Sequence, residues 1–222
     1  GRCRFAIMNP ELTMTLPPYQ TASGCTDIIL HTMERYFIKE NNMDITDGFA
    51  ESLMRTVMKH TRILMKEPNN YESRAEVMWA GSLSHNDITG SRSFGDWACH
   101  QLEHELSGMY KVAHGAGLAA VWGSWARYVY QEQPSRFAQY ARNVMGIREE
   151  NDVECALAGI EATEQFFKEI GMPTSIHEMG ITLCEEDIRK LAWKCSFEDE
   201  RTIGCFKVLK KEDMENIYRI AK

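Results

Sequence analysis

Asp96-Trp-Ala-Cys-His100-Gln-Leu-Glu-His104-Glu-Leu-Ser-Gly-Met-Tyr-Lys-Val-Ala-His114 carries three of the seven histidines in a chain of 222 residues. The run has helical propensity and an Asp start signal at Asp96, so His100 and His104, four apart, project from one face of one helix. A break follows, and His114-Gly-Ala-Gly marks where a second helix can begin. Two helices meeting at a tight corner can bring His100, His104 and His114 into one small volume. Upstream, Asp27 and His31 are also four apart in a helical run, which sets a carboxylate and an imidazole on one face. One Asp with three His is a donor set suited to Fe(II) or Zn(II). Each feature taken singly has an ordinary reading, because a lone His is usually a surface or hydrogen-bonded residue and an i, i+4 Asp/His pair can be a helix-face contact. Two such pairs together with His114 favour the metal.

Working outward, Arg4 to Met8 is a short β-like run stopped by Asn9-Pro10. Its abrupt beginning, with no initiator Met, is read as a cut from something longer. Pro17-Pro18 end the lead-in, and Thr21 or Ser23 can cap a helix to about Lys39 that buries Ile28, Ile29, Met33 and Phe37. A second helix begins at Asp44 or Thr46, passes through Phe49, Leu53, Val57 and Leu64, and stops at Pro68. A third runs from Tyr71 to about Leu83 with Ala75, Met78, Trp79 and Leu83 on one side. His60 reads as solvated and His85 as a helix-end residue. Residues 86–95 read as a loop feeding the His helix.

From Gly115 a helix rich in small residues leads to Trp122, Trp125, Tyr128 and Val129. Pro134 opens another that stops near Gly146, and Asp152 a further one that closes at Gly171-Met172-Pro173. His177 sits in an irregular stretch, and Glu185–Trp193 and Glu212–Ala221 read as the last two helices. About nine helices and almost no strand predict an all-α, multi-helix domain.

A net charge of −7 without a basic cluster argues against nucleic acid or an anionic membrane as partner and directs attention to a small-molecule site. The seven cysteines are scattered, with no C-x-x-C spacing, which fits reduced thiols better than a disulfide framework. Cys99, about 100° round the helix from His100, reads as packing. The longest apolar run, Gly115 to Ala126, is too short to span a bilayer, so a soluble, cytoplasmic protein is expected. No Gly-rich phosphate loop follows a strand, and no G-x-S-x-G elbow occurs.

Asn9-Pro-Glu-Leu-Thr, Leu16-Pro-Pro-Tyr-Gln-Thr, Asp27-Ile-Ile-Leu-His31-Thr-Met-Glu, the run from Asp96 to Gly108 and His114-Gly-Ala-Gly-Leu-Ala together resemble the iron-containing (group III) alcohol dehydrogenases. Within that group the likeness is to NAD(P)H-dependent butanol dehydrogenases and aldehyde reductases. The resemblance implies the dehydroquinate synthase-like, two-domain fold, of which this chain is similar to the C-terminal helical part. Residues 1–18 would then be a strand and linker left from a nucleotide-binding domain, and 19–222 the metal-binding domain. It also implies Asp27, His31, His100 and His114 as ligands of Fe2+ or Zn2+, with His104 as the catalytic histidine close to the nicotinamide.

The pyrophosphate-binding segment is missing, so the chain is expected to bind metal but neither to hold NAD(P)H nor to act on an alcohol or aldehyde such as butanol or butanal by itself. The implied partners are that substrate and the missing domain, with room for a homodimer. Two other classes stay open at this point: a helical metal phosphohydrolase, which would be expected to carry a His-Asp dipeptide absent here, and a non-catalytic metal-binding or assembly module.

Overall fold

Residues 115–126 are buried without exception, so the helix that carries them has to be surrounded. In the computed structural model, which describes residues 3–39, 43–90 and 95–222, this helix is α5 (His114–Val129). It packs against α1 (Pro18–Tyr36), α4 (Ala98–Tyr110), α7 (Asp152–Glu169) and α9 (Lys211–Ala221). The small residues of α5 let its neighbours approach closely, and Trp122 and Trp125 fill the centre with Phe37, Phe137, Tyr140 and Phe167. Around this core α2 (Asp44–Leu64) joins α1 to α3 (Tyr71–Ser84), α6 (Pro134–Asn143) lies along α7, and α8 (Glu185–Cys195) bridges α4 and α9. Nine α-helices stand among the described residues, and the only β pairing among them is one bridge, Ile203 to Leu209. The fold is all-α, as the periodicity predicts.

Most helix ends fall where local chemistry puts them. Asn70 and Asn151 accept backbone N–H groups at the starts of α3 and α7, Pro134 opens α6, and Gly146 and Gly171 stop α6 and α7 in the left-handed region. The first helix differs from expectation at both ends. Pro18 is its first residue rather than part of the lead-in, since a first-turn N–H has no partner to lose. It stops at Tyr36 instead of Lys39, where Arg136 donates to the Tyr36 carbonyl at 3.0 and 2.7 Å and Phe37 turns into the core.

The strand expected at residues 4–8 is not formed. Phe5 and Ile7 are 81% and 86% exposed, and a strand without a neighbour has no ladder to join. Phe49 and Trp79 are also exposed, because each lies beyond the buried arc of its helix, set by Ala50, Met54 and Val57 in α2 and by Ser73 and Ala80 in α3. His60 is half-buried rather than solvated and meets the Ser73 hydroxyl at 3.0 Å. Residues 91–94 of the expected 86–95 loop lie outside the described residues. All seven cysteines are free, and Cys99 packs in the core. No described helix is long and apolar enough to cross a membrane.

Candidate metal centre

Asp27, His31 and Glu34 recur at intervals of four and three, so α1 presents all three along one stripe. The helix starts of α4 and α5 are held against that stripe. For α5 the reason is Gly115, where a Cβ would stand 2.0 Å from the Ser23 carbonyl oxygen, so only glycine lets the backbones meet and His114 reach α1. Gly117 leaves room in the same way for the Glu103 carboxylate, 2.6 Å from where its Cβ would be. These two contacts explain the His-Gly-Ala-Gly sequence.

For α4 the anchor is Asp96. Its N–H donates to the Glu34 carbonyl at 2.7 Å, and its carboxylate accepts from the N–H groups of Ala98, Cys205 and Phe206. Burial and the neighbouring Glu34 carboxylate push Asp96 up to about 7 despite these donors. Trp97, at φ 60°, occupies the left-handed region that bulky residues avoid, so α4 starts at Ala98. Its indole is edge-on to His31 and His100, with ring centres 5.3 and 5.1 Å away, and the Arg35 guanidinium sits 4.7 Å from its ring. Trp97 thus walls the corner in which the imidazoles meet.

In that corner three imidazole nitrogens surround one carboxylate oxygen. Asp27 Oδ1 lies 3.6 Å from His31 Nε2, 3.5 Å from His100 Nε2 and 3.4 Å from His114 Nε2. Asp27 Oδ1 and His100 Nε2 are buried and lack a hydrogen-bond partner. Donors about 2.0–2.1 Å from a tetrahedral Zn2+ stand about 3.3–3.4 Å apart, close to the three Asp27–imidazole distances. The ligand atoms of Asp27, His100 and His114 lie within 4.8 Å of one another, so these residues fit a divalent metal, with His31 on the far side of the carboxylate. The outer nitrogens are oriented as such a site requires. Glu34 Oε1 meets His100 Nδ1 at 3.0 Å and also takes the His100 N–H, while Glu103 Oε2 meets His114 Nδ1 and its other oxygen takes the Ser107 hydroxyl. A proton held on Nδ1 by a carboxylate leaves the Nε2 lone pair facing inward.

Electrostatics follow from the crowding. Burial alone would raise the Asp27 carboxyl, but the imidazoles of His100 and His114 hold it well below the usual carboxylate range. Burial lowers His31 to about 3 in spite of Asp27, so it stays a neutral donor. Burial would also lower His100, yet the Asp27 and Glu34 carboxylates beside it raise it, and those of Asp27 and Glu103 raise His114 to about 10.

Of the residues predicted from sequence, Asp27, His31, His100 and His114 meet round the Asp27 carboxylate, and His104 lies beside His114, its ligand atom within 4.8 Å of those of His114 and Glu103. His104 is exposed at its edge and stacks on His114 with ring centres 5.5 Å apart, 6.3 Å from His100, and the part of its ring shielded from water lowers its pKa. Glu34 and Glu103 were missed, although each lies three residues from a predicted histidine on the same helix. His85 does cap α3 as expected, but it also reaches the corner, where its ring centre is 3.8 Å from that of His31. His177 is exposed at the start of a 3-10 turn.

Comparison with known proteins decides the family. The profile of the "Fe-containing alcohol dehydrogenase family, C-terminal" matches residues 21–222. The chain belongs to the iron-containing alcohol dehydrogenases. It is 34% identical over 220 residues to NADH-dependent butanol dehydrogenase A of Clostridium acetobutylicum, covering 98% of this chain and 56% of that protein. Among solved structures it is similar to NADH-dependent butanol dehydrogenase A of Thermotoga maritima, at TM-score 0.89 and 37% identity over 96% of this chain and 54% of that one. The substrate- and cofactor-free aldehyde reductase YqhD of Escherichia coli superposes with TM-score 0.90 and 34% identity, over 96% of this chain and 56% of that one. The chain therefore spans about half the length of these members of the family.

Proposed function

We propose that the chain is the metal-holding helical half of an NAD(P)H-dependent alcohol dehydrogenase or aldehyde reductase acting on a primary alcohol or aldehyde such as butanol or butanal. Asp27, His31, His100 and His114 hold one Fe2+ or Zn2+, and the observation that carries this is the convergence of three Nε2 atoms on an unpartnered Asp27 oxygen. When bound, the ion supplies Lewis acidity at the substrate oxygen. Glu34 and Glu103 keep the protons of His100 and His114 on Nδ1 and so hold both rings in the ligating orientation. His104, beside His114 on the exposed side, would be the histidine close to the nicotinamide, able to orient substrate or pass its proton. Imidazole and carboxylate donors suit both metals, and the affinity order favours zinc where both are supplied.

The nicotinamide belongs to an N-terminal domain, which the relatives' NADH- and NADPH-dependence and twofold greater length support. Residues 1–18 are the end of that domain and its linker, and the exposed Phe5, Ile7 and Leu12 are the apolar side chains that it covers. Metal analysis of the wild type against His31→Ala and His114→Ala tests the site: both variants lose the metal, and unchanged stoichiometry in both refutes it. With the N-terminal domain restored, His100→Ala loses metal and activity together, whereas His104→Ala keeps its metal and loses mainly turnover. The chain alone gives no appreciable NADH binding by fluorescence titration, and micromolar affinity would show that this half holds the cofactor itself.

A further inference from the structure

Three arginines are buried among the described residues, and their partners differ. Arg35 is paired with Asp87 at 3.1 Å, and Arg136 with both oxygens of Asp47. Arg74, 4% exposed, has no carboxylate partner among the described residues. Its Nε donates to the Pro68 carbonyl at 2.9 Å and its Nη1 to the Thr21 hydroxyl at 3.0 Å, and both acceptors are neutral. Cys25 stands beside it, but burial pushes that thiol up to about 11, so at neutral pH it supplies no counter-charge. A guanidinium keeps its proton even where burial lowers its pKa, as here. A buried cation is costly unless an anion is brought to it.

Arg74 lines a cavity of about 180 Å³ between α1, α3 and the turn Pro10–Thr13. Thr21 lines it too, and Leu16, Ile28, Val77 and Met78 help to make its surface almost wholly apolar. Glycine makes the room on the α1 side. A Cβ at Gly24 would meet nothing within 4 Å, so the helix surface there is bare. Across from it, on α3, a Cβ at Gly81 would come 3.3 Å from Ile28 Cδ1. The Thr21 hydroxyl accepts from Arg74 and has no acceptor for its own proton among the described residues, nor has Arg74 Nη2. Two donors, one of them charged, thus belong to the wall of an apolar cavity.

We infer that this cavity binds a short aliphatic monocarboxylate, with the carboxylate on Arg74 and Thr21 and the tail among Ile28, Val77 and Met78. The two oxygens of a carboxylate take one donor each, and a bond between two charged partners is the strong kind. A phosphate would bring further charge and more lone pairs than two donors can satisfy. Size sets the tail. An apolar cavity of about 150 Å³ takes benzene, so one of this volume holds an acid of about six carbons. The inference goes beyond the proposed function and does not rest on it, since no residue lining the cavity is a proposed metal ligand.

The metal-free full chain is titrated with hexanoate by calorimetry, and the acid is located by NMR shifts. The wild type takes one equivalent with a Kd of about 1 mM or tighter, the range open to so small a ligand. The shifts fall on Gly24, Val77 and Met78. Gly24→Leu fills the bare surface with a good helix former, so it keeps the melting temperature and abolishes binding. Arg74→Gln weakens binding about ten- to a hundredfold, and hexan-1-ol, with the same tail and no charge, binds the wild type weaker by a similar factor. If Arg74→Gln fails to fold, Gly24→Leu and the alcohol still decide. His114→Ala, which removes a cation from the metal corner, binds hexanoate as the wild type does. Absence of saturation at about 10 mM hexanoate, binding that survives in Gly24→Leu, or equal affinity for hexan-1-ol overturns the inference. Loss of binding in His114→Ala also overturns it, by placing the acid among the imidazoles. None of these outcomes alters the metal stoichiometry that tests the proposed function.

Discussion

Two buried polar clusters lie along α1, and they are built on opposite terms. At its C-terminal end the Arg136 guanidinium lies 3.9 Å from the Tyr36 ring, binds the Tyr36 carbonyl and takes both oxygens of Asp47. Gln139, Asn143 and the Tyr36 hydroxyl complete Asp47 and Glu51 at 2.8–3.2 Å. Every buried side-chain atom there has a partner. One helix turn or two away, Asp27 Oδ1, His31 Nδ1, Glu34 Oε2 and His100 Nε2 are buried with none. Burial of polar groups is common to both, so burial alone says nothing of function. What separates them is whether the lone pairs are used up within the protein or, as at Asp27 Oδ1 and His100 Nε2, left facing one another.

The largest effect expected from this contrast is at the closed cluster. Arg136→Met leaves Asp47 buried without its cation and lowers stability by about 3–5 kcal/mol, read by urea denaturation. The metal content of the molecules that remain folded stays that of the wild type, and loss of metal instead would merge the two clusters into one. A smaller effect is expected at the open cluster. Glu103→Gln weakens the hold on His114 and lowers metal affinity about ten- to a hundredfold by chelator competition, with little change in the urea midpoint of the metal-free protein. A change in folding larger than the change in affinity would make Glu103 a structural residue like Arg136.

The smallest effect is in pH. In the metal-free protein His114 is raised to about 10 from 6.5, so its proton is kept by the folded chain after the unfolded chain has lost it. That contribution is complete below about pH 6.5 and disappears as pH rises through 10. The melting temperature of the metal-free protein therefore declines across that interval. The metal-loaded protein, in which the ion takes the proton's place, declines less, and its metal uptake at pH 7 releases protons. Solvent reaches 38% of the His114 side chain, so the difference is modest, and equal declines in both forms would remove it.

How much of this is legible in sequence depends on how far each partner lies along the chain. Caps and stops set by residues two to four positions away, such as Asn70, Asn151, Pro134, Gly146 and Gly171, can be read directly. The pairs Asp27/His31 and His100/His104 are equally local, and spacing alone cannot rank His100 above His104, since both share a face. Only the approach of α1 draws that distinction, by meeting His100 and not the next turn. Glu34 serves a histidine 66 positions on, and the end of α1 is decided by an arginine 100 positions away, so neither has a local signature. The 4–8 run shows the converse: its residues favour a strand, but strand formation belongs to a pair and no described segment supplies the other member.

The clasp made by Asp96 has a consequence for the order in which the molecule can be completed. The start of α4 is fastened to the N–H of Phe206, 110 positions later, and its Leu102 carbonyl receives the Tyr218 hydroxyl at 2.7 Å, 116 positions later. A ribosome therefore delivers the histidine helix long before the residues that grip it. The corner where the imidazoles meet is thus fastened by residues made after all of the side chains that line it. A chain that stops short of Cys205 keeps Asp27, His31, His100 and His114 but lacks the two backbone N–H groups that hold the Asp96 carboxylate at the start of α4.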